Sequence, residues 1–256
     1  MDNTWLSAVS FNPFNHGVDI TLSSLTKYYS GGNAIGGAIT TSNNDYFEKI
    51  VRFSKQNGMH VSPVNAQIIS NNIDHLESRI KASSQLTEMI VKKYADCLSI
   101  DHPLLENHPS HEMAKKYLKY YPSVFVMQIP ASKTKSIWSM KNSGVIEYKT
   151  SFGGEHTRFD TYPKTVNNLN NGRMIQSIAV THCRMALGYN DTVEDVIKGI
   201  DQFIANIGIS TNNTVTVLPT TISTTDINKD MATQKPTTNL GQALARIKNQ
   251  SNAKKR

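Results

Sequence analysis

The sequence predicts an α/β fold. Residues 18–22 alternate between apolar and polar side chains, and residues 123–129 form a nearly continuous apolar run, as is typical of strands. Elsewhere apolar residues recur at the three- and four-residue spacing of helices, most clearly over residues 193–207. With 256 residues and 38% hydrophobic content, the chain can form one large or two smaller domains with a substantial core.

The remaining elements follow from the same patterns. Asn43 and Asn44 precede apolar positions at helical spacing and predict a capped helix over residues 44–55, which Gly58 ends. A long helical zone begins at Ser62 and runs through residue 98. Thr192 and Asp195 predict a cap for the helix over residues 193–207. The other predicted elements are a helix over residues 136–142 and strands over residues 38–41, 144–148, 175–180 and 214–218.

The net charge of +7 is concentrated at the C-terminus. Residues 226–256 contain seven basic and two acidic side chains, so this segment carries five of the seven net charges. We interpret it as a solvated tail, with contact to a partner or an anionic surface as the alternative, and we expect no nucleic-acid partner. No apolar run reaches the ~18 residues of a membrane span and no signal peptide is visible, so we expect a cytoplasmic protein with no membrane partner.

The cysteines and histidines do not predict a metal site. Cys97 and Cys183 lie far apart and are interpreted as packing thiols. His102, His108 and His111 lie in a polar, proline-containing loop, but no cysteine or acidic cluster beside them has the spacing of metal ligands. We therefore predict no bound metal.

The segment over residues 19–37 has the features of a reactive site. Lys27 follows a predicted strand, so partial burial would lower the pKa of its amine toward that of a nucleophile or base. Ser24 and Thr26 place hydroxyl groups beside it, and glycines at positions 31, 32, 36 and 37 let the backbone approach a bulky anion. Together these groups suit a phosphate-bearing aldehyde held by the lysine as a Schiff base.

Four segments carry a resemblance to one family. Ser24-Leu25-Thr26-Lys27-Tyr28 before a glycine-rich turn resembles the cofactor-lysine motif of the trans-sulfuration enzymes, which include cystathionine γ-synthase and the cystathionine lyases. Residues 2–5 (Asp-Asn-Thr-Trp), 151–154 (Ser-Phe-Gly-Gly) and 184–191 (Arg-Met-Ala-Leu-Gly-Tyr-Asn-Asp) resemble further motifs of that family in the same order. The resemblance covers the chain to about residue 208.

The resemblance implies a fold and a domain organisation. The fold is that of pyridoxal-phosphate enzymes of type I, similar to aspartate aminotransferase, with a remnant of the large domain followed by an α+β C-terminal domain. Residues 1–100 would be the C-terminal part of the large domain and the bridging helix. Residues 101–210 would form the small domain, and residues 211–256 an extra strand and a mobile basic tail.

The resemblance also implies the residues that hold the cofactor, pyridoxal 5'-phosphate. Lys27 would form the Schiff base and shuttle the α-proton as the catalytic residue. Asp2 would pair with the pyridine nitrogen, and Ser24 and Thr26 would bind the phosphate.

Substrate binding would fall to Ser151 and Arg184, which would orient the carboxylate of an amino acid. Arginine suits that role because its fork makes two charge-assisted hydrogen bonds to a carboxylate. From the residues alone, Arg184 could equally form an ion pair and Ser151 could be a turn residue. Arg79 matches a family arginine, with a solvated helix face as the alternative.

The implied activity is β- or γ-elimination or replacement on sulfur amino acids or homoserine esters. The family's upstream half of the large domain is absent, so we expect an N-terminally truncated chain. It would act as a homo-oligomer or paired with a full-length homologue. The alternative is a catalytically inactive homologue that serves as a structural or interaction partner.

Overall fold

The computed structural model of the chain describes residues 1–170 and 173–208. Its first part begins with the four-residue helix α1 (Ser7–Ser10), followed by a 3₁₀ turn (Pro13–His16). Strand β1 (Ile20–Ser24) then pairs antiparallel with β2 (Gly37–Thr41). Asp2 forms a parallel bridge with Leu22 of β1, so the first residues of the chain extend one edge of this small sheet.

Three helices connect this sheet to the second half. They are α2 (Asn44–Gln56), α3 (Pro63–Asn72) and α4 (Leu76–Tyr94). The predicted cap of α2 is confirmed, because Oδ1 of Asn43 accepts hydrogen bonds from the backbone nitrogens of Asp45 and Tyr46. The predicted long helical zone is confirmed as the two helices α3 and α4, the second of which ends at Tyr94. A 3₁₀ turn (Ile73–His75) separates α3 from α4, and the Asn72 side chain donates to the backbone oxygen of Ile68 there.

The second half forms a five-stranded sheet. Its strands are β3 (Ile100–Asp101), β4 (Val124–Pro130), β5 (Glu147–Tyr148), β6 (Arg158–Asn170) and β7 (Arg173–Ala186), with α5 (His111–Tyr117) between β3 and β4. The spatial order is β3-β4-β7-β6-β5, and all neighbours are antiparallel except β5 and β6. The predicted strand over residues 175–180 is confirmed as part of β7.

The main core lies between this sheet, α4, a 3₁₀ segment (Ala131–Ser143) and the last helix, α6 (Val193–Ile207). Met127, Phe159, Met185 and Phe203 are fully buried in it. The predicted cap of α6 is confirmed, since Oγ1 of Thr192 accepts from the backbone nitrogen of Asp195. No described helix is long and apolar enough to cross a bilayer.

Three predicted elements differ from the structure or lie beyond it. The helix over residues 136–142 belongs to the longer 3₁₀ segment, where the Ser139 and Ser143 side chains donate to carbonyls three residues earlier. The strand over residues 144–148 is reduced to the two residues of β5. The predicted strand over residues 214–218 and the tail over residues 211–256 lie outside the described residues.

Strand β6 was not predicted. It contains Pro163 and several asparagines, which are depleted in strands. β5 pairs only with Arg158 and Phe159, so β6 is an edge strand at Pro163, and edge strands tolerate proline. This strand places Arg158 and Asp160 beside the segment that follows Ser151.

Candidate active site

Lys27 stands on a turn that is fixed by glycines. β1 ends at Ser24, and a short 3₁₀ turn (Tyr28–Ser30) begins directly after Lys27. Gly31 and Gly32 then adopt φ values of 65° and 85°, in the left-handed region that favours glycine. The chain thereby reverses within a few residues and leaves the Lys27 side chain only half-buried.

Arg79, on α4, hydrogen-bonds the backbone of this turn. Its side chain is 2% exposed, so the alternative of a solvated helix face is wrong. Nη2 donates to the backbone oxygens of Tyr28, Tyr29 and Asn72 at 2.8, 3.2 and 2.7 Å, and Nε also donates to Tyr28. Burial lowers the pKa of Arg79, but its guanidinium remains a strong donor to three carbonyls. Arg79 is therefore a positioning residue for the lysine turn.

A second turn, over residues 151–154, packs directly against the first. A Cβ on Gly153 would lie 2.8 Å from the backbone nitrogen of Tyr28, and one on Gly32 would lie 3.2 Å from Cα of Gly154. Glycine is therefore required where the two backbones meet. Ser151 itself has a φ of 82°, a conformation that costs a non-glycine residue about 1 kcal/mol or more.

The contact of the two turns brings Lys27 to Ser151. Nζ of Lys27 donates to Oγ of Ser151 at 2.6 Å, and the same nitrogen lies 5.4 Å from the centre of the Phe152 ring. Burial is the main cause that lowers the pKa of Lys27, and the positive charges of Arg184 and Arg158 lower it further. A lysine with a lowered pKa has a larger neutral fraction, and the neutral amine is the nucleophile.

Arg184, on β7, is engaged within the chain. Its Nη2 lies 2.6 Å from Oδ2 of Asp160 on β6, and the hydroxyl of Tyr162 donates to that oxygen at 2.6 Å. The two ion-paired side chains are 19% and 4% exposed. The ion pair, which the sequence left open as an alternative, is therefore present. Arg184 is still near enough to Lys27 to affect its pKa.

Asp191 anchors the segment between Ser151 and β6. Its side chain is 1% exposed and accepts from Nδ1 of His156 at 2.9 Å. It also accepts from the backbone nitrogen of Thr157, whose hydroxyl oxygen accepts from the nitrogen of Gly188. A buried carboxylate satisfied in this way fixes the course of the backbone on which Gly154 and Arg158 stand.

Asp2 and Ser24, the last residue of β1, are linked through Thr4. Oδ1 of Asp2 accepts from the backbone nitrogen of Thr4 at 2.9 Å, and the Thr4 hydroxyl accepts from the nitrogen of Ser24. Hydrogen bonds from the Thr4 side chain and backbone lower the pKa of Asp2, so its carboxylate stays ionised. Asp2, Thr4 and Ser24 line a cavity of about 780 Å³, in which Lys27 takes no part.

Thr26, the second predicted phosphate ligand, hydrogen-bonds Gly36. Its hydroxyl donates to the backbone oxygen of Gly36 at 3.3 Å and accepts from the nitrogen of Gly36 at 3.1 Å. It thus closes the base of the lysine loop. The Ser24 hydroxyl makes no hydrogen bond with the described residues.

The predicted residues therefore form two pairs. The structure brings Lys27 to Ser151 and links Asp2 to Ser24 through Thr4. The two pairs are joined by the backbone, since the nitrogen of Lys27 donates to the backbone oxygen of Ser24 at 3.5 Å. Arg79 was recognisable from the sequence, because it stands three residues after Leu76 and beside Ile80 on the buried face of α4. Asp160 and Arg158 had no such signal, since the strand that carries them was not predicted.

A protein-family profile described as "Cys/Met metabolism PLP-dependent enzyme" matches residues 1–205. The chain therefore belongs to this family of pyridoxal-phosphate enzymes, as its motifs indicated. Cystathionine γ-lyase of Dictyostelium discoideum is 24% identical over 212 residues, which are 79% of this chain and 54% of that relative. L-methionine γ-lyase of Fusobacterium nucleatum subsp. polymorphum is 23% identical over 215 residues, with coverages of 81% and 54%.

Solved structures are similar over the same part of the chain. Cystathionine γ-lyase from Lactobacillus plantarum matches with a TM-score of 0.68 at 18% identity, over 82% of this chain and 56% of that one. This likeness confirms the predicted fold of type I pyridoxal-phosphate enzymes. The chain spans about half the length of the curated relatives it matches.

The residues of the two pairs fit pyridoxal phosphate, the cofactor of the family. Lys27 offers an amine whose lowered pKa favours the neutral form that reacts with an aldehyde. Asp2 offers an ionised carboxylate for a protonated ring nitrogen. Ser24 offers a hydroxyl that is not bonded within the described residues and that faces the same cavity as Asp2. The amine, the carboxylate and the hydroxyl thus suit the aldehyde, the ring nitrogen and the phosphate of the cofactor, in that order.

Proposed function

We propose that this chain carries the lysine side of the active site of a trans-sulfuration-type enzyme. The enzyme would act on sulfur amino acids or homoserine esters by β- or γ-elimination or replacement. The observation that supports this most is the 2.6 Å hydrogen bond from Nζ of Lys27 to Ser151, at a lysine whose pKa is lowered by burial. An exposed, solvated lysine would have neither property.

In this proposal Lys27 holds the cofactor covalently through its Nζ. Asp2 would pair with the ring nitrogen, and Ser24 and Thr26 would bind the phosphate, Thr26 from the loop that its hydrogen bonds to Gly36 close. When bound, pyridoxal phosphate supplies the electron sink that stabilises negative charge at the substrate Cα. When its amine is not bonded to the cofactor, Lys27 would take the α-proton of the substrate, because its lowered pKa gives it a larger neutral fraction than an exposed lysine has.

The names of the relatives support the proposed substrate class. Their names give cystathionine and L-methionine as substrates of those proteins, and both are thioether amino acids. Ser151 would contact the substrate carboxylate, because its hydroxyl accepts from Lys27 and retains its own proton for a second acceptor. The apolar ring of Phe152 beside Lys27 would exclude water from the reacting atoms.

Oligomerisation belongs to the same proposal. We expect a homo-oligomer or a pair with a full-length homologue, because large apolar side chains of β1, β2 and α2 are exposed in the single chain. Leu22, Ile39, Phe47 and Phe53 are 46 to 57% exposed. A cover for this face would also close the cavity that Asp2 and Ser24 line.

One observation favours the second candidate, a catalytically inactive homologue that serves as a partner. Asp160 neutralises Arg184, the arginine that the family resemblance assigns to the substrate carboxylate. A chain that does not bind amino acids could retain the fold and the lysine turn and still pair with a relative. The two candidates differ in whether Lys27 reacts.

The test is covalent labelling of the purified chain with pyridoxal phosphate. The absorption band of the lysine-bound cofactor is recorded, the adduct is reduced with borohydride, and the modified peptide is mapped. We expect label on Lys27, its loss in Lys27→Ala, and no change in Lys55→Ala, which removes an exposed lysine of α2. Label scattered over surface lysines, or no band, would contradict the enzyme proposal for this chain.

A further inference from the structure

We propose that Tyr189 is a positioning residue for Lys27, because its hydroxyl anchors the peptide that hydrogen-bonds the Lys27 carbonyl. The reactive role of Lys27 rests on the proposed function. The anchoring does not, since it follows from the hydrogen bonds that Tyr189 makes to the two turns that carry Lys27 and Ser151.

The anchored peptide joins Gly31 to Gly32. Its nitrogen, on Gly32, donates to the backbone oxygen of Lys27 at 3.0 Å. Its oxygen, on Gly31, accepts from the hydroxyl of Tyr189 at 3.3 Å in a buried contact. A peptide unit is planar, so a side chain that fixes its oxygen also fixes the direction of its N–H. Tyr189 therefore acts on Lys27 through a single peptide.

This peptide needs an anchor because both of its residues are glycines. Gly31 and Gly32 have φ values of 65° and 85°, and glycine passes between positive and negative φ at little cost. Among the described residues, Tyr189 is the one donor to the Gly31 oxygen. Without that hydroxyl the peptide is free to rotate, and a rotated N–H no longer reaches the carbonyl of Lys27.

Tyr189 is itself fixed between the two turns. Its backbone nitrogen donates to the backbone oxygen of Gly154 at 3.4 Å, at the end of the turn that carries Ser151. Its ring lies 5.7 Å from Cζ of Arg79, and the residue is only 6% exposed. A Cβ on Gly31 would lie 2.9 Å from the Tyr189 hydroxyl oxygen, so glycine allows this close approach. One residue thus contacts both turns.

The hydroxyl of Tyr189 remains a donor at neutral pH. Burial is the main cause that raises its pKa to about 12, and the negative charge of Glu155 raises it further, against the opposing charges of Arg79 and Arg158. A protonated hydroxyl donates to the Gly31 carbonyl, whereas a phenolate would repel it.

Tyr189 and Arg79 support different parts of the lysine turn. Arg79 donates to the carbonyls of Tyr28 and Tyr29, which directly follow Lys27. Tyr189 donates to the last part of the turn, where the chain folds back on the Lys27 carbonyl. Loss of one support therefore leaves the other in place.

The consequence for the reaction concerns the amine of Lys27. Its Nζ lies 2.6 Å from Oγ of Ser151 while the two turns are in contact, and burial there is the main cause of its lowered pKa. A loosened turn lets the ammonium reach solvent, which raises the pKa and reduces the neutral fraction. The Tyr189 hydroxyl thus favours the reactive form of Lys27 without touching the amine.

The test uses the full chain without cofactor and the variant Tyr189→Phe, which keeps the ring and removes the hydroxyl. Amide hydrogen exchange is followed by NMR. We expect the Gly32 amide to exchange about threefold to tenfold faster in the variant, as for one lost hydrogen bond. Acetylation by limiting acetic anhydride is compared at about pH 8. The yield at Lys27 relative to the exposed Lys55 should fall about twofold or more.

Tyr94→Phe is the matched control. Tyr94 is also buried, and its hydroxyl donates to Asp201 at 2.7 Å. It lies about 22 Å along α4 from Arg79, at ~1.5 Å per residue, and so is remote from the lysine turn. We expect this variant to lower the free energy of unfolding, and to leave Gly32 exchange and the Lys27 yield unchanged.

Several outcomes would overturn the proposal. Equal changes in both variants would mean a general loss of stability, and no change in Tyr189→Phe would mean that the peptide is held without the hydroxyl. Faster Gly32 exchange with an unchanged Lys27 yield would mean that this peptide does not position the lysine.

Exchange in the wild type decides the matter if Tyr189→Phe does not fold. A protected Gly32 amide supports the anchored peptide, and one that exchanges as in an unfolded chain contradicts it. Failure of Lys27 to bind pyridoxal phosphate would leave both measurements unaffected, so this proposal and the proposed function fail separately.

Discussion

The lysine turn and the β1–β2 hairpin are continuous in the chain, yet their surroundings are opposite. In the turn, Tyr28 and Ser30 are 2% and 0% exposed, and α4 and residues 151–154 cover them. In the hairpin, Leu22 and Ile39 stand opposite each other in register and are 46% and 51% exposed. The hydroxyl-bearing residues Tyr28 and Ser30 that follow Lys27 are thus buried, whereas apolar side chains of the adjoining hairpin are exposed to solvent.

The two parts of the candidate site thus differ in how far this chain covers them. Arg79 and Ser151 reach the lysine turn from 52 and 124 residues further along the chain, by helices and strands that the chain itself contains. The Asp2 and Ser24 side has no comparable cover among the described residues. We therefore expect the Lys27–Ser151 contact to survive in the isolated chain, whereas tight cofactor binding on the Asp2 side would depend on a second chain or segment.

Within the candidate site, the largest effect is expected from Arg79, the buried side chain that hydrogen-bonds the lysine turn. Arg79→Leu leaves the carbonyls of Tyr28, Tyr29 and Asn72 without their donor, and each unsatisfied buried group costs about 1–3 kcal/mol. We expect the free energy of unfolding in urea to fall by about 3 kcal/mol or more. Arg52→Leu, which removes an exposed arginine, should change it by less than about 0.5 kcal/mol. A small effect of Arg79→Leu would show that the turn is held by its glycines alone.

The second prediction concerns the pH dependence of Lys27. Burial and the two arginines lower its pKa, so below the usual lysine pKa it has a larger neutral fraction than an exposed lysine. Acetylation by limiting acetic anhydride, followed by mass spectrometry, should therefore begin at lower pH for Lys27 than for Lys55. Arg158→Gln removes one repelling charge and should move the Lys27 profile to higher pH without moving that of Lys55. Coincident profiles in the wild type would mean that Lys27 is solvated.

Local signals in the sequence predicted much of this fold. The caps at Asn43 and Thr192 are made by a side chain and a backbone only two or three residues away, so the bounds of α2 and α6 could be predicted closely. The strand β4 could be predicted because an apolar run is typical of a buried strand. Lys27 and Ser151 came from motifs, and their contact across 124 residues came from the fold.

The remainder depends on contacts that no local pattern encodes. β6 contains Pro163 and asparagines and exists because β7 pairs with it along its length. The ion pair between Asp160 and Arg184 follows from that pairing, which places the two residues opposite each other. The sequence left two interpretations of Arg184 open, an ion pair and substrate binding. It could not predict the ion pair because β6, the strand that carries Asp160, was not predicted.

The smallest effect is expected on the open face, which carries the exposed apolar side chains of β1, β2 and α2. Phe47 of α2 is 57% exposed in the single chain, so at a protein concentration low enough for a monomer Phe47→Ala should change the free energy of unfolding by less than about 0.5 kcal/mol. Phe159→Ala, in the buried core of the second sheet, should lower it by about 3–5 kcal/mol. Both are measured by urea denaturation at two protein concentrations. If Phe47→Ala is as costly as Phe159→Ala at high concentration and harmless on dilution, the open face is covered by a second copy of the chain. If Phe47→Ala and Phe159→Ala lowered the free energy of unfolding equally at both concentrations, Phe47 would be buried within the single chain. The contrast between the enclosed lysine turn and the exposed face of β1, β2 and α2 would then be wrong.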